Sequence, residues 1–125
     1  MSILKFLKSQ FKLAKNDIKY RKLRSDLNGV YLGDKQLFKW NEVKLIEAYK
    51  EDLFTVDLIC LDITLISGIQ IKLHEELKGF SEFRERMESV LLLNNKSWMA
   101  SVMLPPFEEC RTQVFNLNTL RPDVI

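Results

Sequence analysis

Hydrophobic positions change period along the chain, and each change predicts an element. Leu4, Leu7, Phe11, Ala14 and Ile18 recur at steps of three and four, one face of a helix, and Ile3, Phe6 and Leu13 widen it. Lys5, Lys8, Lys12, Lys15, Lys19 and Lys22 follow the same steps one residue later and form a separate stripe. Arg21 and Arg24 return to the apolar side, so the pattern fades near Tyr20. Asn28-Gly29 supplies a helix stop.

The period then shortens. Gly33-Asp34 predicts a turn between two short extended pieces. Residues 38–50 predict a strand of imperfect alternation: Val43, Leu45 and Tyr49 share one parity, Phe38, Trp40, Ile46 and Ala48 the other. A bulge near Lys44-Leu45 would bring Val43 and Ile46 to one side. The polar run Tyr49-Lys50-Glu51-Asp52 reads as a hairpin tip. Residues 53–66 are apolar at both parities, as in a central strand buried on both faces. After a tight connection at Ser67-Gly68, Ile69, Ile71 and Leu73 alternate with Gln70, Lys72 and His74, a half-buried strand.

Helical spacing returns with Phe80, Phe83, Met87, Val90 and Leu91. Ser81 is the expected N-cap, Glu82 and Glu85 lie near the positive end of the dipole, and Asn94-Asn95 ends the element. Residues 97–104 fit a short helix or a strand equally. Pro105-Pro106 stops whichever it is. A short extended segment, Arg111–Leu117, precedes an eight-residue tail. The expected fold is α+β: an antiparallel meander sheet of three to five strands, the helix of residues 81–93 across one face, and an N-terminal amphipathic helix. The expected division is a basic helical arm, 1–29, and an α+β domain, 30–125.

Length adds that 125 residues make one domain able to bury roughly 68% of the unfolded surface. A composition 46% hydrophobic and 29% charged is that of a globular chain. No apolar run approaches the ~18 residues of a membrane span, and lysines interrupt the N-terminus too often for a secretory signal. The expected location is cytoplasmic, with peripheral attachment to the inner membrane as an option. The net charge of +2 hides an asymmetry: residues 1–29 sum to +6 and residues 30–125 to −4.

Catalytic chemistry finds little to stand on. The single histidine, His74, reads as a surface residue. Nothing in the sequence puts Cys60 or Cys110 beside it as a nucleophile. The two cysteines have no zinc spacing and read as reduced thiols. Four glycines offer no phosphate-cradling loop. Asp57 and Asp62 differ by five residues, so a regular strand sets them on opposite faces, a poor acid/base pair. Glu75-Glu76 and Glu108-Glu109 read as solvated charges. No catalytic residue, metal ligand or cofactor is assigned. Trp40, Tyr49, Phe54 and Trp98 read as core ahead of binding anchors.

The basic arm fits, in descending order, a helix packed on its own sheet, a helix on an anionic membrane through Lys5, Lys8, Lys12, Lys15 and Lys19, or a phosphate contact. Nucleic acid is disfavoured by the acidic body and by the lack of arginine–aromatic interleaving. The acidic body itself suits a basic protein partner.

The run "WNEVKLIEAYKEDLFTVDLICLDI", followed by "GFSEFRERMESVL" and a tryptophan separated by six residues from "PPFEECRTQVF", resembles a group of small uncharacterised bacterial proteins. They share a W-x-E-φ-x-x-φ-x-A-Y-K-x-D-L-x-T-x-D-x-φ pattern, φ being apolar, and look like immunity proteins of bacterial toxin systems. The match spans roughly residues 38–117 and leaves out the basic arm. Its residues Trp40, Ala48, Tyr49, Leu53, Thr55 and Asp57 read as a fold signature; no catalytic residue is carried over. The resemblance implies a domain that blocks a cognate toxin protein by binding it. The expected contacts are Glu47, Glu51, Asp52, Glu75, Glu76, Glu108 and Glu109.

Overall fold

The computed structural model describes residues 22–53, 56–103 and 111–120. In chain order these form β1 (Leu23–Asp26), β2 (Gly29–Leu32), β3 (Lys35–Phe38), a 3-10 turn (Trp40–Glu42), β4 (Val43–Leu53), β5 (Val56–Leu65), β6 (Gln70–His74), α1 (Phe80–Val90), α2 (Trp98–Met103), β7 (Thr112–Asn116) and a second 3-10 turn (Leu117–Leu120). Two antiparallel sheets result, one ordered β1-β2-β3 and one ordered β6-β5-β4-β7. The fold is α+β with sheet predominating.

The meander β4-β5-β6 follows the hydrophobic pattern closely. Val43 pairs with Leu65 and Leu45 with Thr64, so one residue bulges at Lys44. That shift brings Val43 and Ile46 into the same core, as the parities required. β5 lies inside the sheet, and its alternate residues are buried on both faces. Gly68, at φ 96°, makes the connection to β6.

Four expectations need correction. Residues 23–28 are strand and turn, not the end of a helix. Asp26 Oδ1 accepts the N–H groups of Asn28 (2.8 Å) and Gly29 (3.0 Å), closing a two-residue hairpin. The helical spacing runs on through a segment whose own side chain, Asp26, favours a turn. Lys50, Glu51 and Asp52 are not a hairpin tip: β4 runs to Leu53, and Lys50 pairs with Ile59, Glu51 with Leu58 and Asp52 with Asp57. The N-cap of α1 is Gly79, not Ser81. At φ 90° it occupies the left-handed region, and a Cβ there would collide with the Leu23 carbonyl. The single expected sheet is two. Helix α1 packs chiefly on β1, while the shorter α2 lies against β4 and β7.

One apolar cluster joins these layers. It takes Leu23, Val30 and Phe38 from the three-stranded sheet, Ile46, Leu61, Ile63 and Leu73 from the four-stranded one, and Phe83, Met87, Trp98 and Val102 from the helices. The Trp40 ring stacks on Phe83 at 6.0 Å and meets Phe38 edge-on at 5.9 Å. Its indole N–H donates to the Asp26 carbonyl at 2.7 Å. Trp98 is fully buried and donates to Glu88 at 3.1 Å. Both tryptophans are therefore core.

Candidate functional site

Strand alternation gives the four-stranded sheet a second face. Ile46, Ala48, Ile59, Leu61, Ile63, Ile71 and Leu73 enter the core. Their neighbours in sequence, Glu47, Tyr49 and Glu51 on β4, Leu58, Cys60 and Asp62 on β5, and Lys72 and His74 on β6, share the opposite side. Tyr49, Leu58 and Cys60 form a small buried cluster of their own there.

Charges are organised around Tyr49. The Arg111 guanidinium lies 4.4 Å from its ring centroid and the Lys72 ammonium 5.7 Å. Arg111 donates to Asp62 at 2.5 Å and to Glu47 at 3.3 Å. Lys72 donates to Glu51 at 2.9 Å. The Tyr49 hydroxyl donates to Asp62 at 3.4 Å. The Cys60 thiol donates to Glu51 at 3.5 Å.

This environment sets the protonation states. Burial, reinforced by the Asp62 charge, raises Tyr49 above its ordinary pKa. The Lys72 hydrogen bond lowers Glu51. Burial is the largest influence on Lys72 and opposes its charge, but the Glu51 bond together with the Cys60 and Tyr49 interactions outweighs it and pushes the ammonium up to about 12. The Asp62 bond raises Arg111 further. Burial pushes the Cys60 thiol up to about 12. That thiol lies across the β5–β6 ladder from His74, a juxtaposition that appears only once the strands are paired. Fully buried and held protonated, it is no nucleophile at neutral pH.

The anticipated contact residues separate into groups. Glu47 and Glu51 lie on this face, each bound to a cation. Glu75 and Glu76 follow β6 directly. Glu75 Oε1 accepts the Ile59 N–H at 3.0 Å, which finishes the ladder, while the Glu76 carboxylate is exposed and has no partner among the described residues. Glu51, Glu75 and Glu76 all act electrostatically on His74, so the fold brings these three together. His74 is half-buried rather than a free surface residue, and burial lowers its pKa. Asp52 is a backbone position in β4 opposite Asp57. Glu108, Glu109, Cys110 and Phe54 lie outside the described residues, as do Lys5, Lys8, Lys12, Lys15 and Lys19 with the N-terminal helix they define.

Sequence reasoning missed Arg111, Lys72 and Asp62 as members of this network. Arg111 precedes β7 by one residue, and only the β4–β7 pairing shows that it overhangs Glu47 and Tyr49. Asp62 gave a signal, a charge inside the most apolar run, without its partner. A separate open groove of about 520 Å³ on the three-stranded sheet is lined by Leu27, Asn28, Tyr31, Gln36, Lys39, Trp40 and Asn41.

Among the described residues no group of histidine, cysteine and carboxylate side chains could hold a metal ion, and no helix is long and apolar enough to cross a membrane. No family model, curated protein or solved structure matches the chain.

Proposed function

We infer that the protein is a non-catalytic binding domain, an immunity protein that neutralises a cognate bacterial toxin by covering its working surface. The observation that carries this reading is the charged face of the four-stranded sheet. Its two cations are fixed on Tyr49 and already paired with carboxylates, so the surface is ordered before any partner arrives. A pre-arranged face loses little side-chain entropy on docking, which suits tight one-to-one recognition.

Five carboxylates, Glu47, Glu51, Asp62, Glu75 and Glu76, sit on or beside this face with Lys72 and Arg111. The balance favours a basic partner surface, which speeds encounter and discriminates among partners. Glu76 and the neighbouring Glu51 are the contacts expected to matter most. Glu47 contributes chiefly by holding Arg111.

The experiment is co-expression with the toxin encoded by the adjacent gene. Cells expressing the wild-type chain survive, and Glu76→Lys with Glu51→Lys reduces survival while the protein stays folded and soluble. Killing that continues in the presence of folded wild-type protein counts against the reading.

A further inference from the structure

The two outer strands of the four-stranded sheet end differently. At β7, Asn94 from the α1–α2 connection lies along the outer side. Its N–H donates to the Val114 carbonyl at 2.9 Å, and its side-chain carbonyl accepts the Asn116 N–H. Bonds to residues two apart are those a neighbouring strand would make, so Asn94 covers the Val114–Asn116 end of this rim.

At β6 the ladder is bounded by Leu65 N–H to the Ile69 carbonyl (2.8 Å) and Glu75 N–H to the Ile59 carbonyl (3.0 Å). Odd-numbered residues therefore turn their N–H and C=O groups toward β5. Alternation turns those of Gln70 and Lys72, with the His74 N–H, away from it. None of these has a backbone partner among the described residues. The His74 carbonyl accepts the Leu77 N–H at 3.1 Å, which ends the open stretch.

A lysine on an outer strand ordinarily discourages strand addition. Lys72 does not guard this rim. Its ammonium is drawn inward to Glu51 and over Tyr49, and its side chain is only 16% exposed. The ends of the rim also differ. Ile69, 52% exposed and of the core-side parity, precedes the strand, and the exposed Glu76 lies in the turn that follows it.

We propose that β6 receives an added strand: an extended segment of the partner protein, with apolar side chains beside Ile69 and basic ones toward Glu76. This rests on the binding reading above and gives its partner a conformation and a side-chain pattern. A second copy of the chain offers no charge match: pairing β6 with itself about Lys72 or Ile71 brings Gly68 or Ile66, not a cation, toward Glu76.

The probe is a short capped peptide of alternating valine and lysine, added to the full chain while amide hydrogen exchange is followed by NMR. The peptide slows exchange about tenfold at the Gln70 and Lys72 N–H groups. The same peptide N-methylated at alternate residues does not. Gln70→Pro, which removes a donor unused within the described ladder, abolishes the effect. Equal binding of the N-methylated peptide overturns the proposal. So does protection of both amides in the protein alone, and protection that grows with protein concentration identifies a second copy as the occupant. In co-expression, a Gln70→Pro chain that still protects cells removes β6 from toxin recognition and leaves the immunity reading intact. Loss of protection by the wild-type chain removes that reading, while the exchange result at β6 stands by itself.

Discussion

The two faces of the four-stranded sheet are built from alternate residues of the same strands, yet different physics holds them. On one side Ile46, Ile63 and Leu73 interlock with Phe83, Met87 and Trp98, and stability comes from apolar area removed from water. On the other, Glu47, Asp62, Arg111, Lys72 and Glu51 surround a buried Tyr49, and each charge is answered by another nearby. The first arrangement is strong and insensitive to pH. The second adds little to stability, because partly exposed ion pairs contribute little, but it fixes where charges stand. The comparison explains how a strand-rich stretch tolerates so many ionisable residues: one face stores the folding energy and leaves the other available for recognition.

Substitutions separate the two. Phe83→Ala removes a fully buried ring stacked on Trp40 and should cost about 3–5 kcal/mol in denaturant unfolding. Gly79→Ala forces a side chain into a left-handed cap against the Leu23 carbonyl, and about 1–3 kcal/mol of destabilisation is expected by the same measurement. Arg111→Ala acts on the charged face and should cost no more than about 1 kcal/mol, and under the proposed function it weakens partner binding far more than stability. A larger stability loss from Arg111→Ala than from Phe83→Ala would reverse the assignment of the faces.

The smallest effect is electrostatic. Burial lowers the His74 pKa, so the unfolded chain binds the proton more readily. Stability contributed by neutral His74 is present above the unfolded value of about 6.5 and is lost as pH falls through the lowered folded value. His74 is the only histidine, so unfolding free energies measured downward from pH 7 should decline in the wild type and less steeply in His74→Gln. Parallel profiles would show that the ring is not desolvated in solution.

Much of the meander was legible, including details. The bulge at Lys44, the interior position of β5 and the half-buried alternation of β6 followed from parity alone. The misreadings share a cause. Helical spacing near residue 24 and the polar look of Lys50–Asp52 are single-segment signals, whereas hairpin pairing with β2 and β5 depends on two segments at once and overrides them. Gly79 was legible as the opening of α1, but its role as N-cap in place of Ser81 was not, because its need, close approach to β1, arises only once the layers are packed. The site was less legible still. Acidic residues were visible one by one, but the cations that neutralise Glu47 and Glu51 come from positions far along the chain.

Asn94 makes the sheet terminate on one side, and a terminated array cannot propagate. Without that amide each molecule would present two receptive borders, one able to lodge against the other in the next copy. Such head-to-tail contacts do not close on themselves and lengthen into fibrils. In Asn94→Pro, which lacks both the N–H and the side-chain acceptor, rising turbidity at high concentration, absent from the parent chain, would reveal that this residue limits self-association.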